Sequence, residues 1–192
     1  AFSWCTSLRS IELPDGLTTI GNEAFIGCSS LRSIKLPAQL TNLAPGAFRL
    51  CERLEAFSVA PNHSVYTTID GILYEKATQT LIAYPEGRGA TTLIVPEGIR
   101  AIGNYAFADC SSLSSIELPE GLTTIGDEAF YNCGSLSSIE LPEGLKTIGY
   151  KAFSGCDSLL SIELPEGLTT IGEEAFSWCT SLRSIELPDG LT

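Results

Sequence analysis

The chain has 192 residues, of which 44% are hydrophobic, and its 11 basic and 23 acidic side chains give a formal net charge of −12. Nucleic-acid phosphates are bound by clustered Lys and Arg, so this balance argues against a nucleic-acid partner and favours basic or cationic ones. No apolar run approaches the roughly 18 residues that a membrane span needs.

A 23-residue pattern recurs along the whole sequence. Counted from its first apolar residue, it opens at positions 8, 31, 54, 90, 113, 136, 159 and, incompletely, 182. The steps between openings are 23 residues, except that the step from 54 to 90 is 36. Such a period predicts a stacked array instead of a globular domain with one closed core. We therefore predict a single solenoid over residues 1–192, with an extended repeat at 54–89.

The repeat that begins at position 113 shows what one coil contains. Apolar and polar residues alternate over 113–118, which predicts a short strand, and Pro119 ends it. A second extended segment covers 122–125. Asp127 is then placed to cap a single helical turn, whose apolar residues within 129–133 return to the interior. One coil cannot bury its own apolar side chains, so neighbouring coils must stack at the inter-strand spacing of about 4.8 Å.

The consensus LxxIxLPxxLxxIGxxAFxxC closely resembles the BspA-like leucine-rich repeat, which is found on surface proteins of host-associated bacteria and some parasitic protozoa. The resemblance covers essentially the whole chain and departs from the pattern at Ala90, at Leu43-Ala44 and at Ala60. It implies an α/β repeat solenoid of the leucine-rich-repeat type. Short parallel strands should lie along one face, with extended convex segments and short helical turns.

The same resemblance implies a function. It points to a non-enzymatic module at the cell surface or in the extracellular space that acts in adhesion or protein binding. Its implied partners are host matrix or surface proteins.

The extended repeat carries the one irregular segment. Two β-rich runs, 72–74 and 80–84, are joined by the polar residues 75–79, which predicts a hairpin that projects as a rib beside the solenoid. Loops and ribs on a rigid scaffold are where binding residues concentrate. The predicted binding residues, which interrupt the uniform rows of the repeats, are His63, Tyr66, Tyr74, Tyr84 and Arg88.

The seven cysteines all occupy one repeat position, three residues after the Phe. They are Cys5, Cys28, Cys51, Cys110, Cys133, Cys156 and Cys179. That position faces the predicted core, where free Cys behaves as a small hydrophobe, so we predict a ladder of buried thiols. Disulfides and a metal site are the alternatives. The odd number, the absence of CxxC or Cys/His clusters and the parallel Cβ directions on neighbouring rungs disfavour both.

Acidic side chains form two rows along the later repeats. Glu117, Glu140, Glu163 and Glu186 should line the outer face of the sheet beside Ser115, Ser138, Ser161 and Ser184, and Glu97, Glu120, Glu143, Glu166 and Asp189 form a second row at the turn. Like charges about 5 Å apart repel by only about 0.8 kcal/mol in water, so a solvated face is the main interpretation. The alternative is a row that attracts a basic partner or weakly bound Ca²⁺.

No residue pattern predicts catalysis. His63 is the only histidine and lies in a polar turn, without a recognisable nucleophile arrangement nearby. A repeated carboxylate ladder is also not a cleft that gives two carboxylates different pKa values. We predict no enzymatic activity, no cofactor and no metal.

Residues 1–18 and 175–192 are identical, and the chain begins within a repeat and contains no Met. We therefore expect an excised or processed piece. A solenoid normally needs polar caps, and neither terminal segment reads as one. The identity suggests either a segment of a long tandem array or a subunit that associates head to tail. The second option gives the alternative function, a structural stalk or filament.

Overall fold

The computed structural model describes residues 1–191, so Thr192, the last residue of the predicted solenoid, lies outside the described residues. The chain divides into two compact units, Ala1–Gly89 (unit 1) and Ala90–Thr192 (unit 2). Both are built from short strands joined by turns. Nothing among the described residues has the length and apolar character of a membrane-spanning helix.

Unit 1 pairs successive coils through parallel strands and adds an antiparallel meander. Its strands are β1 (Thr19–Ile20), β2 (Ser33–Leu36), β3 (Asn42–Leu43), β4 (Ala56–Val59), β5 (Tyr66–Ile69), β6 (Ile72–Glu75) and β7 (Thr80–Ala83). Strand β1 pairs with β3 and β2 with β4, both parallel. In β2, Ile34 and Leu36 are buried while Ser33 and Lys35 face outward, which is the alternation expected of a half-buried strand.

Unit 2 repeats one coil with little variation. Its strands are β8 (Thr92–Ile94), β9 (Ala101–Ile102), β10 (Ser115–Glu117), β11 (Thr124–Ile125), β12 (Ser138–Glu140), β13 (Thr147–Ile148) and β14 (Thr170–Ile171). On one side β8, β10 and β12 form a parallel sheet. On the other, β9, β11, β13 and β14 pair in parallel. The predicted solenoid with short parallel strands is therefore confirmed.

The prediction of a short helical turn in each coil is wrong. Across residues 1–191 the helical structure is one 3-10 turn, Glu86–Arg88. Each regular coil instead has a left-handed residue before its Ala-Phe pair and another before its Cys, such as Glu128 with φ 52° and Asn132 with φ 58°. Two left-handed residues within five positions do not allow a right-handed helix to form.

Backbone groups of these turns bond to the neighbouring coil. The N–H of Phe130 donates to the carbonyl of Ala152 at 2.7 Å. Asp127, predicted to cap a helix, instead accepts a hydrogen bond through Oδ1 from the N–H of Tyr150 at 2.8 Å. Asn104 makes the same contact one coil earlier, with the N–H of Asp127 at 3.0 Å. The turn residues therefore hold one coil to the next.

Stacked aromatic rings form the centre of each unit. In unit 2 the rings of Phe107, Phe130, Phe153 and Phe176 follow one another with centroids 5.0, 5.1 and 5.4 Å apart. In unit 1 Phe2, Phe25 and Phe48 stack at 5.2 and 5.1 Å. Offset stacking at this separation is favourable beyond the apolar area that it buries. One Phe per coil therefore supplies a continuous core.

The hairpin predicted in the extended repeat is present, because β6 and β7 pair antiparallel. The sequence interpretation missed β5, which pairs with β6 on its other side. The expected projection of this segment is wrong, since Leu73 is 0% and Tyr74 2% exposed. All three side chains of residues 72–74 are apolar or aromatic, so both faces of the strand need cover. Gly71 permits the close packing, because an added Cβ would lie 2.8 Å from the Cβ of Ala56.

Candidate functional site

The predicted binding residues of the extended repeat lie almost entirely in the interior. His63, Tyr66, Tyr74 and Tyr84 are 2%, 3%, 2% and 6% exposed, and Arg88 alone is exposed. A protein partner cannot reach the four buried side chains. The expected contact surface at these positions is therefore contradicted, because the aromatic residues that interrupt the repeat fill its core.

The buried histidine organises the turn before β5. Its Nδ1 accepts hydrogen bonds from the N–H groups of Val65 and Tyr66, both at 3.2 Å. Burial lowers the pKa of His63 below its ordinary value, a backbone hydrogen bond with Pro37 opposes that change, and the positive charge of Lys76 adds to it. His63 is thus a neutral acceptor with a structural role.

Two of the buried tyrosines differ in how their hydroxyl groups are placed. The Tyr66 hydroxyl accepts a hydrogen bond from the N–H of Leu43 at 3.1 Å and donates one to the carbonyl of Thr41 at 3.4 Å. The Tyr74 hydroxyl is buried and has no hydrogen-bond partner within residues 1–191. Burial raises the pKa of both phenols, that of Tyr74 to about 12. The Tyr66 side chain belongs to the buried core cluster of unit 1.

The cysteines form the predicted ladder along most of its length. Cys28, Cys51, Cys110, Cys133 and Cys156 are buried free thiols, and Cys179 is partly buried. Cys5 departs from the prediction because it is exposed.

Most of these thiols donate a hydrogen bond to the preceding coil, whereas the Sγ of Cys110 donates to the carbonyl of Ala108 in its own coil. The Sγ of Cys133 donates to the carbonyl of Phe107 at 3.0 Å, and that of Cys156 to the carbonyl of Phe130 at 3.3 Å. Burial raises the pKa of the Cys51 thiol to about 12 and that of Cys133 well above its ordinary value. Thiols held protonated in this way link coils and are poor nucleophiles.

The acidic rows lie on the outer face of unit 2. Parallel register places Ser115 opposite Ser138 and Glu117 opposite Glu140. The carboxylates of both rows are exposed: Glu97, Glu117, Glu120, Glu140, Glu143, Glu163, Glu166, Glu186 and Asp189. Between positions 90 and 191, Arg183 is the one basic residue in the sequence segments that carry these rows. Two basic side chains from the following segments reach the second row: the Lys146 Nζ donates to the carbonyl of Gly167 at 3.1 Å, and Arg100 lies beside Gly121.

An open groove accompanies the rows. Over β8, β10 and β12 it has a volume of about 640 Å³, and Glu117, Glu120, Glu140 and Glu143 are among its lining residues. Buried Leu118 and Pro142 also line it and form its bottom. A second depression of about 400 Å³ continues the surface over later coils, where Glu163, Glu166 and Glu186 contribute. Among residues 1–191, no three His, Cys, Asp or Glu side chains converge closely enough to hold a metal ion.

One apolar residue interrupts this surface. Ile94 pairs in register with Glu117 and is 69% exposed, although it lies in a strand. Sequence reasoning missed it. The available signal was the replacement of the repeated Glu by Ile at this one position of the regular coils in unit 2.

The corresponding face of unit 1 has mixed charge. Its row at the Glu position reads Glu12, Lys35 and Ser58, and Arg32 pairs with Glu55 at 3.0 Å on the same face. Both partners of this pair are more than half exposed, so the pair contributes little to stability. A groove of about 500 Å³ here includes Glu12, Asp15 and Lys35 among its lining residues.

The sequence profile of the BspA type leucine-rich repeat region matches residues 1–85 and 83–192, with six copies. The chain belongs to this family. The family resemblance inferred from the repeat consensus is therefore confirmed. Leucine-rich repeats of this kind commonly mediate protein interactions and are generally non-enzymatic binding modules.

Solved structures of three bacterial proteins are similar over nearly the whole chain. A leucine-rich cell surface protein from Faecalibacterium prausnitzii A2-165 is 31% identical with a TM-score of 0.84, covering 100% of this chain and 56% of its own. The pneumococcal vaccine antigen PcpA is 27% identical with a TM-score of 0.85, covering 96% and 52%.

A leucine-rich repeat protein from Eubacterium ventriosum ATCC 27560 is 27% identical with a TM-score of 0.81, covering 95% of this chain and 55% of its own. The chain thus spans a little over half the length of these proteins. No curated protein sequence matches it.

Proposed function

We propose that the chain is a non-enzymatic cell-surface or secreted module for adhesion, and that it binds basic proteins through the sheet face of unit 2. The observation that carries this proposal is the register of β10 and β12, which aligns Glu117 with Glu140 on an exposed face. Because the coils repeat and stack in register, an exposed carboxylate at one position of the coil recurs as a row along the face. Such a row favours partners of opposite charge and speeds their encounter.

The proposed location is supported by the similar structures. One similar structure is a leucine-rich cell surface protein, and another is a vaccine antigen of pneumococcus. The acidic rows favour partners with clustered Lys and Arg, and the family resemblance implies host matrix or surface proteins. We propose these as the partners.

The experiment compares two variants with the same loss of charge. Glu117→Gln/Glu140→Gln changes the sheet face, whereas Glu52→Gln/Glu173→Gln changes exposed positions outside both rows. Each is passed over immobilised laminin, fibronectin and collagen, with polylysine as the charge reference, at two salt concentrations. We expect the sheet-face variant to associate more slowly and with a weaker salt dependence, while the control matches the parent chain. Equal binding by both variants would reject the proposed surface.

A structural role is the second candidate, favoured by the near-identity of the coils over 113–181 and the identity of 1–18 with 175–192. In this role the repeats serve as a stalk or associate head to tail. Light scattering over a concentration series and negative-stain imaging test it. Growing mass and rods of increasing length support association, and a constant mass of 20.5 kDa argues against it.

A further inference from the structure

The groove of unit 2 lies between two lines of carboxylates. The inner row consists of Glu117, Glu140, Glu163 and Glu186, and the outer row consists of Glu120, Glu143, Glu166 and Asp189. Within one coil the two rows are three residues apart, so they are separated by at most about 10–11 Å. Buried Leu118 and Pro142 lie between them. The two rows therefore stand no farther apart than about the diameter of an α-helix with its side chains, about 10–12 Å, so one helix lying over the groove can reach both.

The spacing along the rows also suits a helix. Neighbouring rungs are about 4.8 Å apart, so four of them stand at about 0, 4.8, 9.6 and 14.4 Å. Helix positions i, i+3, i+7 and i+10 lie at axial heights of about 0, 4.5, 10.5 and 15.0 Å. Same-face residues of an extended strand are about 6.6–6.8 Å apart and lose register with the carboxylates after one rung.

Ile94 supplies an apolar end to the inner row. It occupies the rung before Glu117 and exposes 69% of its surface. A partner residue placed there buries apolar surface, at about 25 cal/mol per Å². The neighbouring side chains toward the strand start, Ser115 and Ser138, are small and leave room for a bulky partner to approach.

From these features we propose that the groove binds one amphipathic α-helix that lies across the strands of unit 2. The helix carries Lys or Arg at i, i+3, i+7 and i+10 toward the inner row and an apolar residue one turn beyond, against Ile94. This inference rests on the proposed function, because it specifies the secondary structure of the basic partner segment that binds to the sheet face.

Synthetic peptides of equal charge test whether the groove recognises a helical arrangement of lysines or positive charge alone. The test peptide has 18 residues with alanines as filler, lysines at the four helical positions and one leucine a turn before them. Its isomer has the same composition, but its lysines are on alternate residues. In an extended strand these lysines lie on one face, whereas in a helix they are spread over different faces. Fluorescence anisotropy measures binding of each to the full chain at low and physiological salt, and circular dichroism measures helix gained on binding.

We expect the test peptide to bind at least about fivefold more tightly than its isomer and to gain helix. Glu117→Gln/Glu140→Gln should weaken it about fivefold at low salt, as two exposed ion pairs of up to about 0.5 kcal/mol each imply. Glu52→Gln/Glu173→Gln should leave it unchanged. Ile94→Ser should weaken binding of the test peptide. It should not change binding of a second peptide in which Ala replaces the Leu.

The outcomes separate the two proposals. If the isomer binds as tightly and the Glu117→Gln/Glu140→Gln variant weakens both peptides equally, the helix is rejected and a basic partner on this face stands. If neither peptide responds to the loss of the two carboxylates, both proposals are rejected. Binding without gain of helix also rejects the helix.

Discussion

The interiors of the two units are built in the same way, whereas their exteriors differ. Each unit stacks one Phe per coil and hydrogen-bonds most of its Cys thiols to the preceding coil, as at Cys51 with Phe25 and at Cys156 with Phe130. On this face of unit 2, nine carboxylates stand against Arg183 and the side chains of Arg100 and Lys146 beside the turn row, whereas unit 1 has three acidic and three basic residues. Inward positions set the coil, and outward positions are free to vary. Under the proposed function, the outward rows are the positions that would set binding specificity.

A second difference lies in the irregular segment of unit 1. The extended repeat introduces histidine and tyrosines, which we expected at the surface, yet the structure uses them as core. Unit 2 has no such segment within residues 90–191, and the residues that distinguish it, the acidic rows, lie on its surface. Irregularity in sequence therefore does not by itself identify a binding surface.

The largest expected effect tests whether both units depend equally on the ring stack. Phe130→Ala removes a ring that is 0% exposed and should lower the free energy of unfolding by about 3–5 kcal/mol. Phe2→Ala removes a ring that is 37% exposed and should cost less than half as much. Urea unfolding followed by circular dichroism measures both. Equal losses would mean that the two stacks are not packed as described.

The next effect separates the two tyrosines of the extended repeat. Tyr66→Phe leaves the N–H of Leu43 and the carbonyl of Thr41 without the hydroxyl, and should cost about 1–2 kcal/mol. Tyr74→Phe removes a buried hydroxyl that has no partner within residues 1–191 and should be neutral or stabilising. Thermal unfolding of the pair gives the comparison. A larger loss for Tyr74→Phe would contradict it.

A smaller effect concerns pH. The folded pKa of His63 is lowered, so below about pH 6.5 the unfolded chain binds the proton more readily than the folded one. Stability should therefore fall as pH decreases from about 6.5 toward the folded pKa. His63→Asn keeps a side-chain acceptor and should remove this part of the pH dependence, as measured by urea midpoints between about pH 7 and 5.5. An unchanged slope in the variant would exclude His63 as its source.

The smallest expected effect compares how surface charges contribute to stability in the two units. Glu140→Gln should raise stability in unit 2 by a few tenths of a kcal/mol, about the size of an exposed charge interaction. Arg32→Gln breaks the ion pair with Glu55 in unit 1 and should lower stability by a similar amount. Both changes should vanish in about 1 M salt, where the screening length is about 3 Å. Thermal midpoints at two salt concentrations measure them, and shifts of the same sign would refute the comparison.

Repeat spacing made most of the fold predictable. Apolar alternation before Pro119 foretold β10, and the equal position of every Cys foretold the buried ladder. The turns were not predictable, because non-glycine residues such as Glu128 and Asn132 adopt left-handed φ. Their conformation follows from hydrogen bonds to the adjacent coil, which no local propensity reveals. The burial of Tyr66 and Tyr74 was missed for the same reason, since it depends on packing across coils.

The coil-to-coil hydrogen bonds of unit 2 have a mechanical consequence. Bonds such as that from Phe130 to Ala152 run across the strands and along the direction in which coils stack. A force that pulls along that direction loads one coil at a time, because each coil is held mainly by its neighbours. Every released coil of 23 residues adds at most about 76–83 Å of chain. Under tension along that direction, we expect such a module to lengthen in equal steps of one coil.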